Sequence, residues 1–418
     1  MVRTMLDLPL PETVSGETVS GLLAEIADIG RDRQRGGYSR PVFSTAERDL
    51  GGWFTTHAER RGLAVHTDRN GILWATMTGA TTGDAIVTGS HLDSVPGGGA
   101  FDGPLGVCSA LVAVDRLRAR GVAPSRPLAI AVFPEEEGSR FGVACLGSRL
   151  LTGSIDPDRA RNLRDDDGTT FAEAASANGL DPRLLGRDDG TLASVRTFVE
   201  LHVEQGRGLI DLGQSVGIAR SILGHGRWRI TITGQGNHAG TTLMADRRDP
   251  MIAAARVVVA VRAAAVAHAD CRATVGRFTP LPGGTNVIAS RVDLWLDVRH
   301  PDDATAAVVV QRITAEADRI SADEGCGFQI VEESASGTTH FPTELRDRLS
   351  GILPTAPLLD TGAGHDAGVL GARVRTAMLF VRNPTGISHS PEEHVERDDA
   401  EAGATALADV LQMLLAEK

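Results

Sequence analysis

Four stretches of the chain share one layout, a run of apolar residues that ends in side chains able to bind a metal or move a proton. They are VTGSHLD (87–93), VFPEEEG (132–138), VELHVEQ (199–205) and FVRNPTGISH (380–389). Ligands of open α/β sheets bind beyond the carboxyl ends of the strands, so four such ends can converge on one site. Convergence would gather three histidines and several carboxylates, a donor set that suits a divalent metal.

The stretch GSHLDSVPGGGAFDG, from Gly89 to Gly103, could also be a phosphate cradle or a surface turn. Its glycines match neither GxGxxG nor a Walker loop, and no lysine follows them. A metal fits better, because His91 can supply one ring nitrogen while Asp93 holds the other. Taken singly, a turn histidine or a glutamate pair is most often ordinary surface. The repetition at four strand ends favours the metal site.

These clusters need strands behind them, and the surrounding pattern alternates strands with helices. Apolar runs predict strands at 72–77, 85–89, 128–133, 195–203 and 377–381. Helices are predicted from the cap at Ser44 toward Arg61, from Pro104 to Arg120, and over 400–415. The alternation predicts the α/β class with a mainly parallel sheet.

The middle of the chain changes character. Residues 228–233 alternate as a half-exposed strand does. The predicted elements after it are an Ala/Val-rich helix at 250–269, strands near 285–290 and 292–298, and a helix at 302–322. This order predicts a smaller α+β domain inserted into the first. We therefore expect one domain formed by residues 1–213 together with 331–418, and a second formed by residues 214–330.

Composition limits the partners. The 418 residues carry a net charge of −12, so neither nucleic acid nor an anionic membrane is expected as a partner. The four cysteines form no CxxC pair, and a cytoplasmic location is the simplest expectation. Residues 1–12 do not predict a signal peptide, because Asp7 and two prolines interrupt them. The most apolar stretch, 251–267, contains two arginines and is too short to span a bilayer.

Eight motifs then occur in order between residues 89 and 393. They are GSHLDSVPGGGAFDGPLGV, EEEGSRFG, ELHVEQG, GNHAGTT, GGTNVI, DVRH, GAGHDA and GISHSPEE. Together they resemble the amidase/hydantoinase/carbamoylase group of dinuclear zinc amidohydrolases. That group includes N-carbamoyl-L-amino-acid hydrolases, β-ureidopropionases and allantoate amidohydrolases, and it is related to aminoacylase and carboxypeptidase G.

The resemblance implies a metallohydrolase catalytic domain, with the inserted domain serving as dimerisation domain and lid. Two sets of side chains would hold two metals, with Asp102 as the bridge: His91, Asp102 and His202 for one, and Asp102, Glu137 and His389 for the other. Each metal then keeps an open position, and Asp93 would orient His91 from behind. Zinc is the expected cofactor, two ions per subunit, with manganese, cobalt or nickel as substitutes.

Spacing alone leaves open which of three consecutive glutamates is the general base. The family pattern makes Glu136 the base and Glu135 the extra residue. Glu136 would take a proton from the attacking water and pass it to the leaving nitrogen. Relatives also have a cis peptide after the bridging aspartate, so the resemblance implies a cis Asp102–Gly103 bond.

The inserted domain carries family motifs as well. His238 and Asn286 would hold the polarised substrate oxygen, and Arg299 would clamp the substrate carboxylate with its planar fork. Gln205 and His365 would contact the substrate from the first domain. Without the motifs, the favoured interpretation would be a loop histidine for His238 and a surface arginine at a strand end for Arg299. The resemblance further implies a homodimer in which His238 and Asn286 reach the partner's active site.

We expect a metal-dependent amidohydrolase that cleaves the carbamoyl C–N bond of N-carbamoyl-L-amino acids to give amino acid, CO2 and ammonia. Allantoate, or another ureido acid such as N-carbamoyl-β-alanine, is the alternative substrate. An N-acyl amino acid or peptide hydrolase ranks lower, because such relatives usually place a carboxylate where His202 stands. A non-catalytic metal or ligand sensor ranks lowest, since such proteins usually lose the base and Glu136 is present.

Overall fold

The computed structural model describes residues 16–77 and 83–417, so the segment in which no signal peptide is predicted lies outside the described residues. The chain forms two compact units. One contains the residues up to Arg220 and those from Phe341 onward, and the other is Ser221–His340. The inserted unit therefore begins and ends later than the predicted 214–330. The reason is strand pairing, since residues 216–218 still pair in the first sheet and residues 327–336 pair in the second.

Helices and strands are numbered here in chain order. Before the insertion they are α1 (Val19–Glu25), α2 (Thr45–Arg60), β1 (Leu63–Thr67), β2 (Leu73–Met77), β3 (Ala85–His91), α3 (Pro104–Ala119), β4 (Leu128–Phe133), α4 (Leu146–Thr152), α5 (Pro157–Arg161), α6 (Phe171–Ala177), α7 (Asp189–Ala193), β5 (Val195–Val203), α8 (Gly208–Leu212) and β6 (Val216–Ile222), which leads into it. Within the insertion they are β7 (Gly224–Thr233), β8 (Asn237–His238), α9 (Pro250–Val266), β9 (Arg272–Leu281), β10 (Val287–Ile288), β11 (Arg291–His300), α10 (Asp303–Asp323), β12 (Gly327–Ser336) and β13 (Thr339–His340). After it come α11 (Thr343–Ile352), β14 (Leu358–Thr361), α12 (Asp366–Leu370), β15 (Arg375–Val381) and α13 (Arg397–Leu415).

Within residues 16–77 and 83–417, the large sheet has nine strands. Their order is β1-β2-β4-β3-β5-β15-β6-β13, and β14 pairs with β6. The four central strands, β4, β3, β5 and β15, run parallel, whereas the flanking pairs are antiparallel. The α/β class is confirmed, and the sheet that was expected to be mainly parallel is mixed, with its parallel part at the centre.

Burial explains why the central strands are continuous apolar runs. Every residue of β4 is buried, as expected of a strand in the parallel part of a sheet. Helices α3 and α13 contribute to the same hydrophobic core as these strands. Proline in the first turn of α3 and the Ser44 cap on α2, whose hydroxyl accepts the N–H of Glu47, mark the helix starts that the sequence predicts.

The inserted unit has its own core. Its four-stranded antiparallel sheet has the order β12-β7-β11-β9, and α9 and α10 pack on one face of it. The strand predicted at 285–290 is only the two-residue β10, which pairs with β8. Within the part of the chain that the structure describes, no helix has the length and apolar character needed to cross a membrane.

Candidate metal centre

The four strands that end in ionisable residues are neighbours in the parallel part of the large sheet. His91 is the last residue of β3, His202 lies near the end of β5, and the three glutamates follow β4 closely. His389 lies in the loop after β15. The carboxyl ends of the four strands therefore bring these side chains to one edge of the sheet, as the pattern predicts.

The first group of donors is His91, Asp102 and His202, all three buried. The two Nε2 atoms lie 3.4 Å apart, and Asp102 Oδ1 lies 3.4 Å from that of His91 and 3.2 Å from that of His202. Each Nδ1 faces a main-chain carbonyl, that of Asp93 at 3.1 Å and that of Val203 at 3.0 Å. Because a carbonyl only accepts, each Nδ1 carries a proton, and loss of the proton on each Nε2 would free its lone pair for a metal. Two lone pairs and a carboxylate that face one another suit a cation.

The second group is Asp102, Glu137 and His389. His389 Nε2 lies 3.5 Å from Asp102 Oδ2 and 3.3 Å from Glu137 Oε2. Glu137 Oε1 is buried, and among the described residues it has no hydrogen-bond partner. Asp102 thus turns one oxygen to each group, which is the arrangement that a bridging carboxylate requires. Three protein donors per group would leave an open position on each metal, as a catalytic zinc site needs.

A third set of donors, Glu200, His202 and His365, is also close enough to hold an ion. However, Glu200 already accepts the Ser90 hydroxyl at 3.0 Å and the Ala367 N–H at 2.9 Å. His202 is shared with the first group. The first two groups are therefore the better metal positions.

The electrostatics of the centre favour cations. Burial lowers the pKa of His91, but Glu136, Asp102 and Asp93 together raise it well above its ordinary value. Burial works against ionisation of Asp102, yet the hydrogen bonds from His202 and His91 hold the pKa of this carboxyl well below its usual range. The surplus of negative charge that raises the pKa of His91 would also attract a divalent ion, which is consistent with the expected cofactor.

Asp93 does more than the sequence predicts. Its Oδ1 lies 3.6 Å from His91 Nδ1, whereas its main-chain carbonyl lies at 3.1 Å, so the carbonyl and not the carboxylate holds this ring nitrogen. Its two oxygens also accept the main-chain N–H groups of Glu136 (3.2 Å) and Glu137 (3.1 Å). One buried carboxylate therefore fastens the β4 loop to the β3 ligand.

The three glutamates have different surroundings. Glu135 turns away, and its Oε1 accepts the N–H groups of Arg140 (3.1 Å) and Phe141 (2.6 Å). Glu136 Oε2 lies 3.7 Å from His91 Nε2, and its Oε1 accepts the thiol of Cys145 at 3.4 Å. Burial raises the pKa of Glu136 well above its ordinary value; His91 opposes this change and Asp366 adds to it. The geometry thus leaves Glu136 beside the first group and Glu137 in the second.

Gln205 and His365 both contact the donors. Gln205 Nε2 donates to Asp102 Oδ2 at 2.9 Å and to the Ser388 hydroxyl at 3.1 Å. The ring of His365 packs 4.5 Å from that of His202, and burial, followed by the charge of His202, lowers its pKa well below the ordinary value. Within the described chain, both His365 nitrogens and Gln205 Oε1 are buried without a hydrogen-bond partner. Such atoms are available to a bound substrate.

The inserted unit brings two of its three predicted residues together. Strand pairing places His238 opposite Val287, and the N–H of Ala239 donates to the carbonyl of Asn286 at 3.0 Å. His238 Nδ1 accepts the N–H of Gly240 at 3.0 Å, so its Nε2 carries the proton and can donate. Arg299, on β11, makes a two-pronged contact with Asp297 at 2.7 and 3.0 Å.

Several residues that support the centre are not predicted from the sequence. Glu200 is one for which a signal existed, because residues i and i+2 of a strand share a face and His202 was already identified. Ser388 and Glu393 lie inside the GISHSPEE motif without an assigned role. Nothing in the pattern points to Cys145, which reaches Glu136 only through the fold.

One expectation is wrong. Among the described residues, the only cis peptide bond is Leu281–Pro282, so the Asp102–Gly103 bond is trans. A cis bond without proline costs about 2.5–4 kcal/mol. The chain turns after Asp102 through Gly103 instead, whose φ is +84°. Glycine is needed at this position also because a Cβ would lie 2.6 Å from the His91 ring.

Comparison with known proteins agrees with the site. Residues 87–413 match the model of peptidase family M20/M25/M40. The N-carbamoyl-L-amino acid amidohydrolase of Geobacillus stearothermophilus is 35% identical over 400 residues, which are 94% of this chain and 97% of that protein. The allantoate amidohydrolase of Escherichia coli (strain K12) is 31% identical over 411 residues, which are 96% of this chain and 98% of that protein.

The structural comparison gives the same answer. An amidase of the hydantoinase/carbamoylase family from Burkholderia vietnamiensis has a TM-score of 0.87 and 31% identity, and the match covers 96% of this chain and 97% of that one. The resemblance predicted from the eight motifs is confirmed. The chain therefore belongs to peptidase family M20/M25/M40, and its relatives include N-carbamoyl-L-amino acid and allantoate amidohydrolases.

Proposed function

We propose that this protein is a metal-dependent amidohydrolase that cleaves the carbamoyl C–N bond of N-carbamoyl-L-amino acids, giving amino acid, CO2 and ammonia. The observation that carries the proposal is the pair of donor groups joined by Asp102, with Glu136 beside the first. A hydrolase needs a water activator and a base within reach of one another. The name of the relative at 35% identity supports the substrate class.

Two divalent cations fit the donor set. His91, Asp102 and His202 would hold one, and Asp102, Glu137 and His389 the other. Zinc is the expected ion because imidazole and carboxylate are among its common ligands, and manganese, cobalt or nickel could replace it. When bound, the pair would polarise the substrate carbonyl and make a water molecule more acidic.

Glu136 moves the proton. Its carboxylate takes a proton from the attacking water and then delivers it to the nitrogen that leaves, so the residue ends each cycle as it began. Burial favours this role, because it raises the pKa of Glu136 and so makes the carboxylate a stronger base. Asp93 keeps the residue in place through its N–H.

The substrate's other polar groups need partners too. Gln205 and His365 supply unpaired buried atoms near the donors. His238 Nε2–H and the Asn286 side chain would donate to the substrate oxygen as charge builds on it. Arg299 would bind the substrate carboxylate, because its planar guanidinium can meet a carboxylate with two hydrogen bonds.

We propose a homodimer in which His238 and Asn286 of one subunit complete the other subunit's site.

A cytoplasmic location is also proposed, because the four free cysteines suit a reducing compartment.

Mixing two inactive variants tests the dimer. Glu136→Ala and His238→Ala should each be nearly inactive alone. A mixed dimer contains one site with both native residues, so co-expression should restore up to about a quarter of wild-type activity if half the dimers are mixed. If mixed dimers of verified composition stay inactive, His238 does not act across subunits.

Allantoate is the second candidate substrate, favoured by the relative at 31% identity; N-carbamoyl-β-alanine is a third. An ammonia-release screen over a panel of N-carbamoyl-L-amino acids, allantoate and N-carbamoyl-β-alanine separates them. The metal-free protein, reloaded with zinc, manganese or cobalt, is assayed beside Glu136→Gln as the blank. We expect the highest kcat/KM with an N-carbamoyl-L-amino acid. Faster turnover of allantoate would contradict the first choice, and release that does not depend on metal would contradict the mechanism.

A further inference from the structure

Glu393 is buried between the loops that carry Asp102 and His389, with 4% of its surface exposed. Its Oε1 accepts the main-chain N–H groups of Phe101 (3.1 Å) and Asp102 (3.0 Å). Its Oε2 accepts the hydroxyl of Ser388 at 3.0 Å. One carboxylate therefore joins the residue before His389 to the main chain of Asp102.

The packing around this carboxylate is tight. A Cβ at Gly99 would overlap the Glu393 carboxylate, so a side chain at that position would displace it from the two N–H groups. The Ser388 hydroxyl also lies 3.3 Å from Asp102 Oδ2, the oxygen that faces His389. A second buried carboxylate beside Asp102 is unfavourable unless hydrogen bonds compensate it, and Glu393 has three of them.

We propose that Glu393 is a positioning residue for the second metal group, Asp102, Glu137 and His389. It holds the main chain at Asp102 and, through Ser388, the loop that presents His389. The first group depends on it less, because His91 and His202 lie on strands and are oriented by main-chain carbonyls. This inference rests on the metal centre proposed above.

Cobalt binding tests the role without an assay of activity. Metal-free proteins are titrated with Co(II), and absorption together with equilibrium dialysis gives the number of ions and each Kd. The wild type should bind two ions per chain. Glu393→Ala should keep the Kd of the first ion and raise that of the second about 10–100-fold, the usual effect of removing a residue that supports a ligand. Glu393→Gln should restore the second ion, since its amide oxygen can accept the same two N–H groups.

Two further variants complete the design. Glu392→Ala is the matched control, because Glu392 is exposed and contacts Ser390; it should bind cobalt like the wild type. Gly99→Ala keeps Glu393 but displaces its carboxylate. This variant should therefore weaken binding of the second ion, and it provides the test if Glu393→Ala does not fold.

The outcomes separate the two proposals. A wild type that binds fewer than two ions would overturn the metal centre itself. A wild type with two ions, matched in both Kd values by Glu393→Ala and by Gly99→Ala, would overturn the positioning role alone. If Glu393→Gln binds the second ion as weakly as Glu393→Ala does, although circular dichroism shows both to be folded, then acceptance of the two N–H groups does not position the second metal group.

Discussion

The two metal groups share Asp102 but are held by the fold in different ways. The side chains of His91 and His202 are 0% and 1% exposed. Both belong to central strands, and each has one ring nitrogen on a main-chain carbonyl. His389, in contrast, lies in a loop, its side chain is 50% exposed, and its φ is +57°.

The difference shows two ways of preparing a metal ligand. On a strand, neighbouring strands and main-chain carbonyls orient the imidazole before any ion arrives, so little is left to order on binding. In the loop, other side chains must orient the imidazole. Glu393 and Gln205 both bond to Ser388, the residue before His389. We expect the first group to be the tighter and more rigid of the two.

The largest effect is expected at Glu136, which lies beside the rigid group. Glu136→Gln should keep both metals and lower kcat by about 10²–10⁴, the usual contribution of a positioned base. Metal content and kcat are measured on the same preparation. Near-normal turnover in a variant that holds both metals would exclude Glu136 as the general base.

The neighbouring Glu135 supplies the matched control for that experiment. Burial raises its pKa to about 8, and Glu135→Gln keeps the shape of the side chain. Its contacts are the N–H groups of Arg140 and Phe141, which a glutamine oxygen can also accept. Glu135→Gln should therefore turn over like the wild type.

The histidines provide the direct test of the comparison. In metal-free protein, His202→Ala removes a buried ring packed against those of His91 and His365 and should lower the free energy of unfolding by about 2 kcal/mol or more. His389→Ala removes a half-exposed side chain and should stay within about 0.5 kcal/mol. Urea unfolding measures both. Equal losses would mean that the two groups are equally built into the fold.

Much of the fold follows from pattern because the central strands are buried along most of their length. Unbroken apolar runs such as β4 allow one interpretation, and the residues just after them then mark the site. The inserted unit was harder to predict. Its strand β9 has no counterpart among the predicted elements, since it is an edge strand that is exposed along most of its length and lacks a clear apolar alternation.

The metal centre likewise contains residues that the sequence predicts and residues that it does not. His91, Glu137 and His202 lie close to strand ends, whereas Asp102 and His389 were assigned only through the family motifs. The supporting contacts join residues far apart in sequence. Glu393 meets Asp102 across 291 positions, and no local pattern encodes such a contact. The trans bond after Asp102 was missed for another reason. The cis bond was expected from relatives, whereas in this chain the positive φ of Gly103 makes the turn.

Among the predicted losses of activity, the smallest is expected at Arg299, which lies in the other unit and is also partly exposed. Losing one charge-assisted contact of about 1.5–3 kcal/mol with the substrate carboxylate should lower kcat/KM roughly 10- to 150-fold in Arg299→Ala. Arg291 is the matched control: it lies on the same strand and grips Asp293 in the same way, at 2.6 to 3.0 Å. Arg291→Ala should leave kcat/KM unchanged. A substrate whose carboxylate is replaced by a neutral amide should be almost indifferent to Arg299→Ala. If the acid and the amide lose equally, Arg299 has a structural role and does not bind the substrate carboxylate.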